Sequence, residues 1–216
     1  MRLSLQFPLT LILAALMGSA RADVVYDNLA TSSSSSADFN NLSGFAQSFV
    51  NTAGGTAGIN SIVLNLFRTG TGTGTFSVQV WSATATKPTS KLATLLTANW
   101  ADVSTAKTTP FTADSSAFTT EGQALQLAAG TTYWLAVVTG SSGQNFWAQG
   151  ANANNGQISV SSSSNPTTSA AWSDATSGSS LGGQITVSVP EPGTLALGAT
   201  LLAMAPVLRR LKRARR

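Results

Sequence analysis

The stretch TFSVQVWS, residues 75–82, indicates the fold class of this chain. Every second residue from Phe76 to Val80 is apolar, whereas the residues between them, and Trp81 after them, share a more polar face. Alternation with a period of two is typical of a β-strand that is buried on one side. The stretch IVLNLF, residues 62–67, is apolar at both parities and predicts a strand that is buried on two sides.

Further strand candidates follow along the chain, with turn residues between them. The other predicted strands are residues 45–50, 92–97, 108–112, 123–127, 132–139, 145–149, 157–160 and 184–189. Gly, Ser, Thr and Asn punctuate residues 24–189, and no segment of helical length keeps an apolar period of 3.6 residues. Many short strands with turn signals between them predict two packed sheets. We therefore expect an all-β fold, an antiparallel β-sandwich of jelly-roll type.

Four segments of this region resemble a group of bacterial surface domains. Residues 44–49, 59–66, 76–82 and 127–135, in this order, are similar to the choice-of-anchor R group. The similarity covers most of residues 25–188. It implies a β-sandwich in an extracellular place, attached to one of several C-terminal anchors. It implies no established activity, and no catalytic residues can be transferred from it.

The composition excludes most catalytic and metal chemistry. The 216-residue chain contains no Cys and no His, which removes disulfides, thiol or imidazole nucleophile systems, and the usual zinc and iron ligands. Only 9% of the residues are charged, against about 25% in typical soluble domains. The chain is therefore neither a disordered polyelectrolyte nor a typical cytosolic domain.

The basic character of the chain is concentrated at its two ends. The net charge is +4, but eight of the twelve basic residues lie within the first 21 or the last 8 residues. Between Asp23 and Pro190, four basic residues stand against seven acidic residues, a net charge of −3. Phosphate backbones are bound by clustered Lys and Arg side chains. This central region has no such cluster, so we expect no nucleic-acid partner.

Residues 1–22 have the pattern of a secretory signal peptide. A basic start is followed by an apolar run that is too short to cross about 30 Å of bilayer hydrocarbon as a stable anchor. The small side chains of Ala20 and Ala22 suit the pocket of signal peptidase. We expect cleavage after Ala22, which leaves residues 23–188 as the extracellular domain. The alternative, a buried helix of the domain, lacks the polar face that such a helix would need.

Residues 189–216 consist of three successive parts of different composition. Pro190, Glu191 and Pro192 come first, and the uncharged apolar segment 194–208 follows. The basic residues of the tail are Arg209, Arg210, Lys212, Arg213, Arg215 and Arg216. Fifteen helical residues span only about 22 Å, so the predicted transmembrane helix is a marginal anchor. The positive-inside rule places the basic tail in the cytoplasm.

These three parts, in this order, resemble the PEP-CTERM sorting signal of bacteria. The resemblance implies that an exosortase recognises the chain, cleaves near Pro190-Glu191-Pro192, and releases or transfers the protein to the cell surface or extracellular matrix. It also implies a Gram-negative host with exopolysaccharide and biofilm genes. We therefore expect a secreted protein that is held only transiently in the inner membrane. An ordinary tail-anchored span is the alternative.

Carboxylates offer little chemistry in the central domain. A glycosidase needs two carboxylates across the scissile bond, one with a raised pKa. The candidates are Asp102, Asp114, Glu121 and Asp174, each in a polar loop. Calcium could use Asp23, Asp27 and Asn28, but these residues do not follow a calcium-loop motif. We expect solvated carboxylates, no cofactor, no metal and no enzyme activity.

Tryptophan offers the remaining binding chemistry. Sugar rings pack on flat indoles, so an exposed Trp on a secreted β-sandwich could bind polysaccharide. Trp81 lies on the more polar face of its strand, and Trp147 lies in a segment flanked by glycines. These two residues are the candidate glycan-binding side chains. The chain is thus interpreted as an exported surface or matrix protein associated with exopolysaccharide, or alternatively as a carbohydrate-binding module that uses exposed Trp residues.

Overall fold

The computed structural model describes the central part of the chain with short gaps. The described residues are 21–29, 36–39, 43–70, 73–84, 86–140, 145–150, 157–163, 165–177 and 180–189. The chain divides into two units. One is Ala22–Ser188, and the other consists of the two chain ends, Met1–Arg21 and Val189–Arg216. Ala20, the motif from Pro190 to Pro192, the predicted transmembrane segment and the basic tail lie outside the described residues.

Strands account for most of the regular structure in the described ranges. They are β1 (Arg21–Asp27), β2 (Ser36–Asp38), β3 (Gly44–Val50), β4 (Gly58–Leu64), β5 (Leu66–Arg68), β6 (Thr75–Ala83), β7 (Pro88–Asn99), β8 (Phe111–Asp114), β9 (Thr132–Thr139), β10 (Asn145–Gly150), β11 (Gln157–Ser161), β12 (Thr176–Ser177), β13 (Ser180–Leu181) and β14 (Gly183–Val189). Helix α1 spans Thr120–Ala124, and 3₁₀ turns occupy Trp100–Asp102, Ser115–Ala117 and Ser169–Ala171. None of the helices in these ranges has the length and apolar character that a membrane crossing requires.

The strands form antiparallel sheets in a sandwich-like, all-β arrangement. The large sheet has the order β12-β11-β3-β9-β6-β7, and the small sheet has the order β1-β14-β4-β8. A third group has the order β13-β10-β2, with β5 also paired to β10. Every strand pair whose register is described is antiparallel. The prediction of an all-β fold built from antiparallel sheets is confirmed.

The core lies between the inner faces of the two sheets. Phe76 of β6 meets Phe111 of β8 edge to face, with ring centroids 5.3 Å apart. Phe76 also packs on Trp100, with ring centroids 4.6 Å apart. The buried Gln47 side chain of β3 accepts a hydrogen bond of 2.8 Å from the backbone N–H of Leu181 in β13. Aromatic packing and this buried hydrogen bond therefore join strands of different sheets.

Helix α1 covers part of an edge of the large sheet. The Glu121 carboxylate accepts a hydrogen bond of 2.9 Å from the Thr94 N–H of β7, and the Thr119 N–H donates to the Leu95 carbonyl over 2.7 Å. A Cβ atom on Gly122 would lie only 2.9 Å from the Leu95 Cα atom, so glycine permits this close approach. Covering an edge strand in this way blocks its pairing with another chain.

The structure differs from the predicted strands in several places. Residues 108–112 were expected to be a strand, but β8 begins only at Phe111 and continues to Asp114. Residues 123–127 were expected to be a strand, but Gln123 and Ala124 are the last residues of helix α1, whose N-terminus is capped by the Thr119 hydroxyl, which accepts from the Gly122 N–H. The predicted strand 62–67 is interrupted at Asn65, whose N–H donates to the Gly182 carbonyl instead of a strand neighbour. Strand β1 was not predicted. Its first residues, Arg21 and Ala22, had been assigned to the signal peptide.

Candidate functional site

Two tryptophans stand side by side on the outer face of the large sheet. Trp81 of β6 lies directly opposite Trp134 of β9, and Trp134 lies opposite Ser48 of β3 on its other side. Both indoles are fully buried. They form a second apolar cluster, separate from the core between the sheets. The buried members of this indole cluster are Ala46, Trp81, Trp134, Ala136, Val138 and Trp172.

Residues 165–177 pack over the indole cluster through Ala171, Trp172 and Ala175, and we call this segment the strap. Trp172 of the strap meets Trp81 edge to face, with ring centroids 5.5 Å apart. Gly44 of β3 leaves room for Trp172, because a Cβ atom there would lie 3.3 Å from the Trp172 ring. The large sheet therefore has an apolar layer on each face, and the strap provides the cover on the outer one.

The strap is attached at both sides of the large sheet. The attachments are the bridge from Thr168 to Ser90 of β7, the bridge from Trp172 to Ser161 of β11, and the hydrogen bond of 2.7 Å from the Ala175 N–H to the Thr86 carbonyl. An ion pair of 3.4 Å joins Asp174 of the strap to Lys87, and the two side chains are 76% and 33% exposed. Such a solvent-exposed pair contributes little stability.

The predicted exposure of Trp81 and Trp147 is wrong, because both side chains are buried. Trp81 lies on the face of β6 opposite Phe76, as the alternation of apolar and polar residues predicts, but the strap covers that face. Trp147 lies in β10, which has β2 on one side and β5 on the other, and its indole N–H donates to the Gly182 carbonyl over 2.8 Å. All five tryptophans of the chain are buried, so an exposed indole platform is excluded.

The buried indole N–H groups differ in their hydrogen bonding. Trp100 donates to the Thr139 hydroxyl over 3.0 Å, and Trp81 donates to the Gln79 side-chain oxygen over 3.0 Å. Within the described part of the chain, the indole N–H groups of Trp134 and Trp172 have no acceptor. A buried donor without an acceptor costs about 1–3 kcal/mol. Both unsatisfied donors belong to the indole cluster and neither belongs to the core between the sheets.

A cleft of about 430 Å³ opens on the outer face of the large sheet, next to the indole cluster. We call it the rim cleft. Its lining residues are Ser48, Val50, Ala83, Thr84, Thr131, Thr132 and Gln157. Thr132 lies two residues before Trp134 on β9, and therefore on the same face of the sheet. A neighbouring cleft of about 460 Å³ shares Ser48, Val50 and Thr132, and β1 forms its other wall.

The lining of the rim cleft is neutral. Hydroxyl and amide groups predominate, no described lining residue is ionised, and Val50 presents an apolar side chain that is 39% exposed. The Ser48 hydroxyl is fixed by the Gln157 N–H, which donates to it over 2.9 Å. Sequence reasoning missed these residues. Thr132 could have been identified from its spacing of two residues from Trp134, which places both side chains on the same face of the predicted strand.

The candidate catalytic carboxylates have local structural partners. Hydrogen bonds from the Ser116 hydroxyl and N–H lower the pKa of Asp114, the opposite of what a general acid needs. Glu121 accepts from the Thr94 N–H, and Asp174 pairs with Lys87. Asp102 is exposed and accepts a hydrogen bond of 3.4 Å from the Asn99 amide. These carboxylates therefore stabilise turns, the contact of helix α1 with the edge strand β7, and the attachment of the strap.

The candidate calcium residues do not assemble a site in the described ranges. The Asn28 amide is buried and donates to the Ser180 hydroxyl over 2.5 Å. Asp27 is exposed and accepts from the Gln184 side-chain amide over 3.0 Å. No group of three or more acidic side chains that could hold a metal ion occurs among the described residues.

Comparisons with known proteins add little to this geometry. No protein-family model matches the chain. No curated protein matches it either. One solved structure that is similar contains the cysteine protease and lectin-like domains of Cwp84, a surface layer associated protein of Clostridium difficile, with 11% identity and a TM-score of 0.45. The match covers 69% of this chain and 32% of that chain, so this chain spans about a third of its length.

Proposed function

We propose that the chain is an exported bacterial surface or extracellular-matrix protein that is processed at both ends and has no enzyme activity. The observation that carries the proposal is the order of the sequence: a signal-like segment, a β domain, then Pro190-Glu191-Pro192, an apolar segment and a basic tail. Signal peptidase and an exosortase are the proposed processing partners. The protein then remains at the cell surface or in the matrix of a Gram-negative bacterium, together with exopolysaccharide.

The contacts of β1 support the proposed N-terminal cleavage. Removal of residues up to Ala22 takes only two exposed residues from this strand. The anchors of β1 lie farther along: the Tyr26 hydroxyl donates to the Leu181 carbonyl over 2.5 Å, and the Asn28 N–H donates to the Gly183 carbonyl over 2.8 Å. A domain that starts at Asp23 therefore keeps the interactions that hold β1 in place.

The end of β14 supports the proposed C-terminal cleavage. This strand ends at Val189, the residue before Pro190. Proline has no N–H to donate to a sheet, so the ladder has a natural stop at this position. Cleavage near Pro190-Glu191-Pro192 leaves Gly183–Val189 complete. The apolar segment that follows is proposed as the transient transmembrane helix.

The strand order supports a jelly-roll-like sandwich as the finer description of the fold. Neighbouring strands in both sheets are mostly distant in sequence, as in the pairs β1 with β14 and β3 with β9. Long connections between antiparallel neighbours are a property of Greek-key and jelly-roll folds. Such a domain suits a stable surface module that needs no disulfide.

The processing proposal is tested by the intact mass and N-terminal sequence of the protein recovered from a host that carries an exosortase. We expect an N-terminus at Asp23 and loss of the chain beyond the Pro190–Pro192 region. A Pro192→Ala variant should keep the C-terminal tail, whereas the control Pro110→Ala, outside the motif, should be processed normally. Recovery of the parent protein with its full basic tail would refute the proposal.

A further inference from the structure

The rim cleft lies beside the indole cluster, because Ala83 lines the cleft and also packs against the cluster. Ser48 lines the cleft and lies directly opposite Trp134 across β3 and β9. Thr132, on the floor of the cleft, shares the face of Trp134 and is exposed. Trp134 is fully buried, and its indole N–H has no acceptor in the described residues. Trp134 itself does not line the cleft, so the groups that can contact a ligand are the lining residues.

The chemistry of the cleft selects a neutral polar ligand. Hydroxyl and amide side chains line it, and none of its described lining residues carries a charge. The region from Asp23 to Pro190 has a net charge of −3, which disfavours a polyanion. Ala83 and Val50 supply apolar surface between the polar groups. Alternating hydroxyl donors, acceptors and apolar C–H surface match the two kinds of surface that a sugar ring presents.

The cleft is also of a suitable size and form. Its volume of about 430 Å³ falls within the roughly 300–1,000 Å³ of ligand pockets in general. The neighbouring cleft, which shares Ser48, Val50 and Thr132, extends the concave surface along β1. This continuity allows a chain to run through both clefts, whereas a closed pocket would admit only a small molecule.

We propose that the rim cleft binds a neutral carbohydrate chain. The lining hydroxyls and Gln157 bond the sugar hydroxyls, and Val50 and Ala83 contact the ring faces. The site differs from an exposed tryptophan platform, because its floor consists of small strand residues and none of its described lining residues is aromatic. The inference goes beyond export and does not depend on it.

The experiment is affinity electrophoresis of the purified protein, in the form recovered from its host, through gels that contain a polymer. Dextran, laminarin and hydroxyethyl cellulose are the neutral probes, and alginate is the acidic probe. The test variant is Thr132→Lys, which places a long charged side chain in the cleft. Its matched control is Thr112→Lys, at an exposed strand position of the small sheet. Thermal unfolding of each variant reports whether it is folded.

We expect at least one neutral polymer to retard the parent protein. Thr132→Lys should weaken that binding about tenfold or more, equivalent to about 1.4 kcal/mol, while Thr112→Lys binds like the parent. If Thr132→Lys does not fold, Gln157→Ala provides the second variant, with the same direction of effect. Retardation by alginate alone, no retardation by any neutral polymer, or equal binding by parent and cleft variants would overturn the proposal. None of these results bears on processing, which the mass measurement tests separately.

Discussion

The two faces of the large sheet are both apolar, but they are buried in different ways. The inner face packs against other sheets through Phe76, Phe111 and Trp100. The outer face is covered by the strap, a single segment of little regular structure. The Trp100 indole N–H of the inner face has an acceptor, whereas Trp134 of the outer face has none in the described residues. The inner face therefore provides a core whose Trp100 indole is hydrogen-bonded, whereas the outer face contains indole N–H groups without an acceptor in the described residues.

Burial alone does not separate the tryptophans of the two faces. Every Trp is at most 3% exposed, so exposed area gives the same answer for all five. Hydrogen bonding does differ: the two indole N–H groups without an acceptor in the described residues, those of Trp134 and Trp172, both belong to the outer face.

Truncation of the inner face should be the most destabilising change. Phe76→Ala removes an aromatic ring that contacts both Trp100 and Phe111, and the free energy of unfolding should fall by about 3–5 kcal/mol. Urea unfolding monitored by circular dichroism measures the loss. Leu92→Ala, at a position that is 40% exposed, is the control and should change the stability by less than about 1 kcal/mol. Equal losses for the two variants would mean that the inner face is not the core.

Trp100→Phe and Trp172→Phe compare the hydrogen bonding of the two faces directly. Both substitutions keep an aromatic ring and remove an indole N–H, but only Trp100 loses a buried hydrogen bond, to Thr139. We expect Trp100→Phe to cost about 1–3 kcal/mol more than Trp172→Phe. Chemical denaturation of the two variants against the parent provides the measurement. A larger cost for Trp172→Phe would show that its N–H has an acceptor.

High pH should weaken the attachment of β1. Burial raises the pKa of Tyr26 above its usual value of 10.0. In the unfolded chain the phenol therefore loses its proton first, so the stability that Tyr26 contributes is complete below pH 10 and declines as the pH rises further. Thermal unfolding between neutral pH and pH 11 should show a smaller decrease for Tyr26→Phe than for the parent. Parallel curves for the two proteins would contradict this assignment.

The ion pair of the strap should have the smallest effect. Asp174→Asn removes the charge that faces Lys87, and the free energy of unfolding should fall by no more than about 1 kcal/mol because the pair is exposed. The loss should decrease further at high salt. Asp102→Asn, an exposed carboxylate without an ion pair in the described residues, serves as control. A cost of several kcal/mol would show that the ion pair, and not Trp172, holds the strap.

The sequence predicted the strands well because alternation reports the burial of each face directly. Residues 132–139 correspond to β9, and the more polar parity of Trp81 correctly identified the outer face. Alternation cannot report which distant segment covers a face. The strap lies more than 80 residues after Trp81 and has no periodic pattern of its own, so no sequence pattern indicates that it covers Trp81.

The candidate site was less predictable for a related reason. The rim cleft combines the end of β3 with the start of β9 and β11, and these positions meet only through sheet register. Small neutral residues such as Ser48 and Thr132 carry no composition signal, because Ser and Thr occur throughout the chain. The carboxylates are the obvious catalytic candidates in the sequence because charged residues are rare in this chain. In the structure, Asp114 and Glu121 stabilise a turn and a sheet edge.

Hydrogen exchange of four indole N–H groups, those of Trp100, Trp134, Trp147 and Trp172, followed by NMR of the tryptophan side chains, tests the contrast between the two faces most directly. The indole protons of Trp100 and Trp147 are hydrogen-bonded in the interior, so they should exchange only through global unfolding. Those of Trp134 and Trp172 should exchange much faster, through opening of the strap. A single common exchange rate for all four protons would contradict the account, because the outer face would then be as firmly closed as the core.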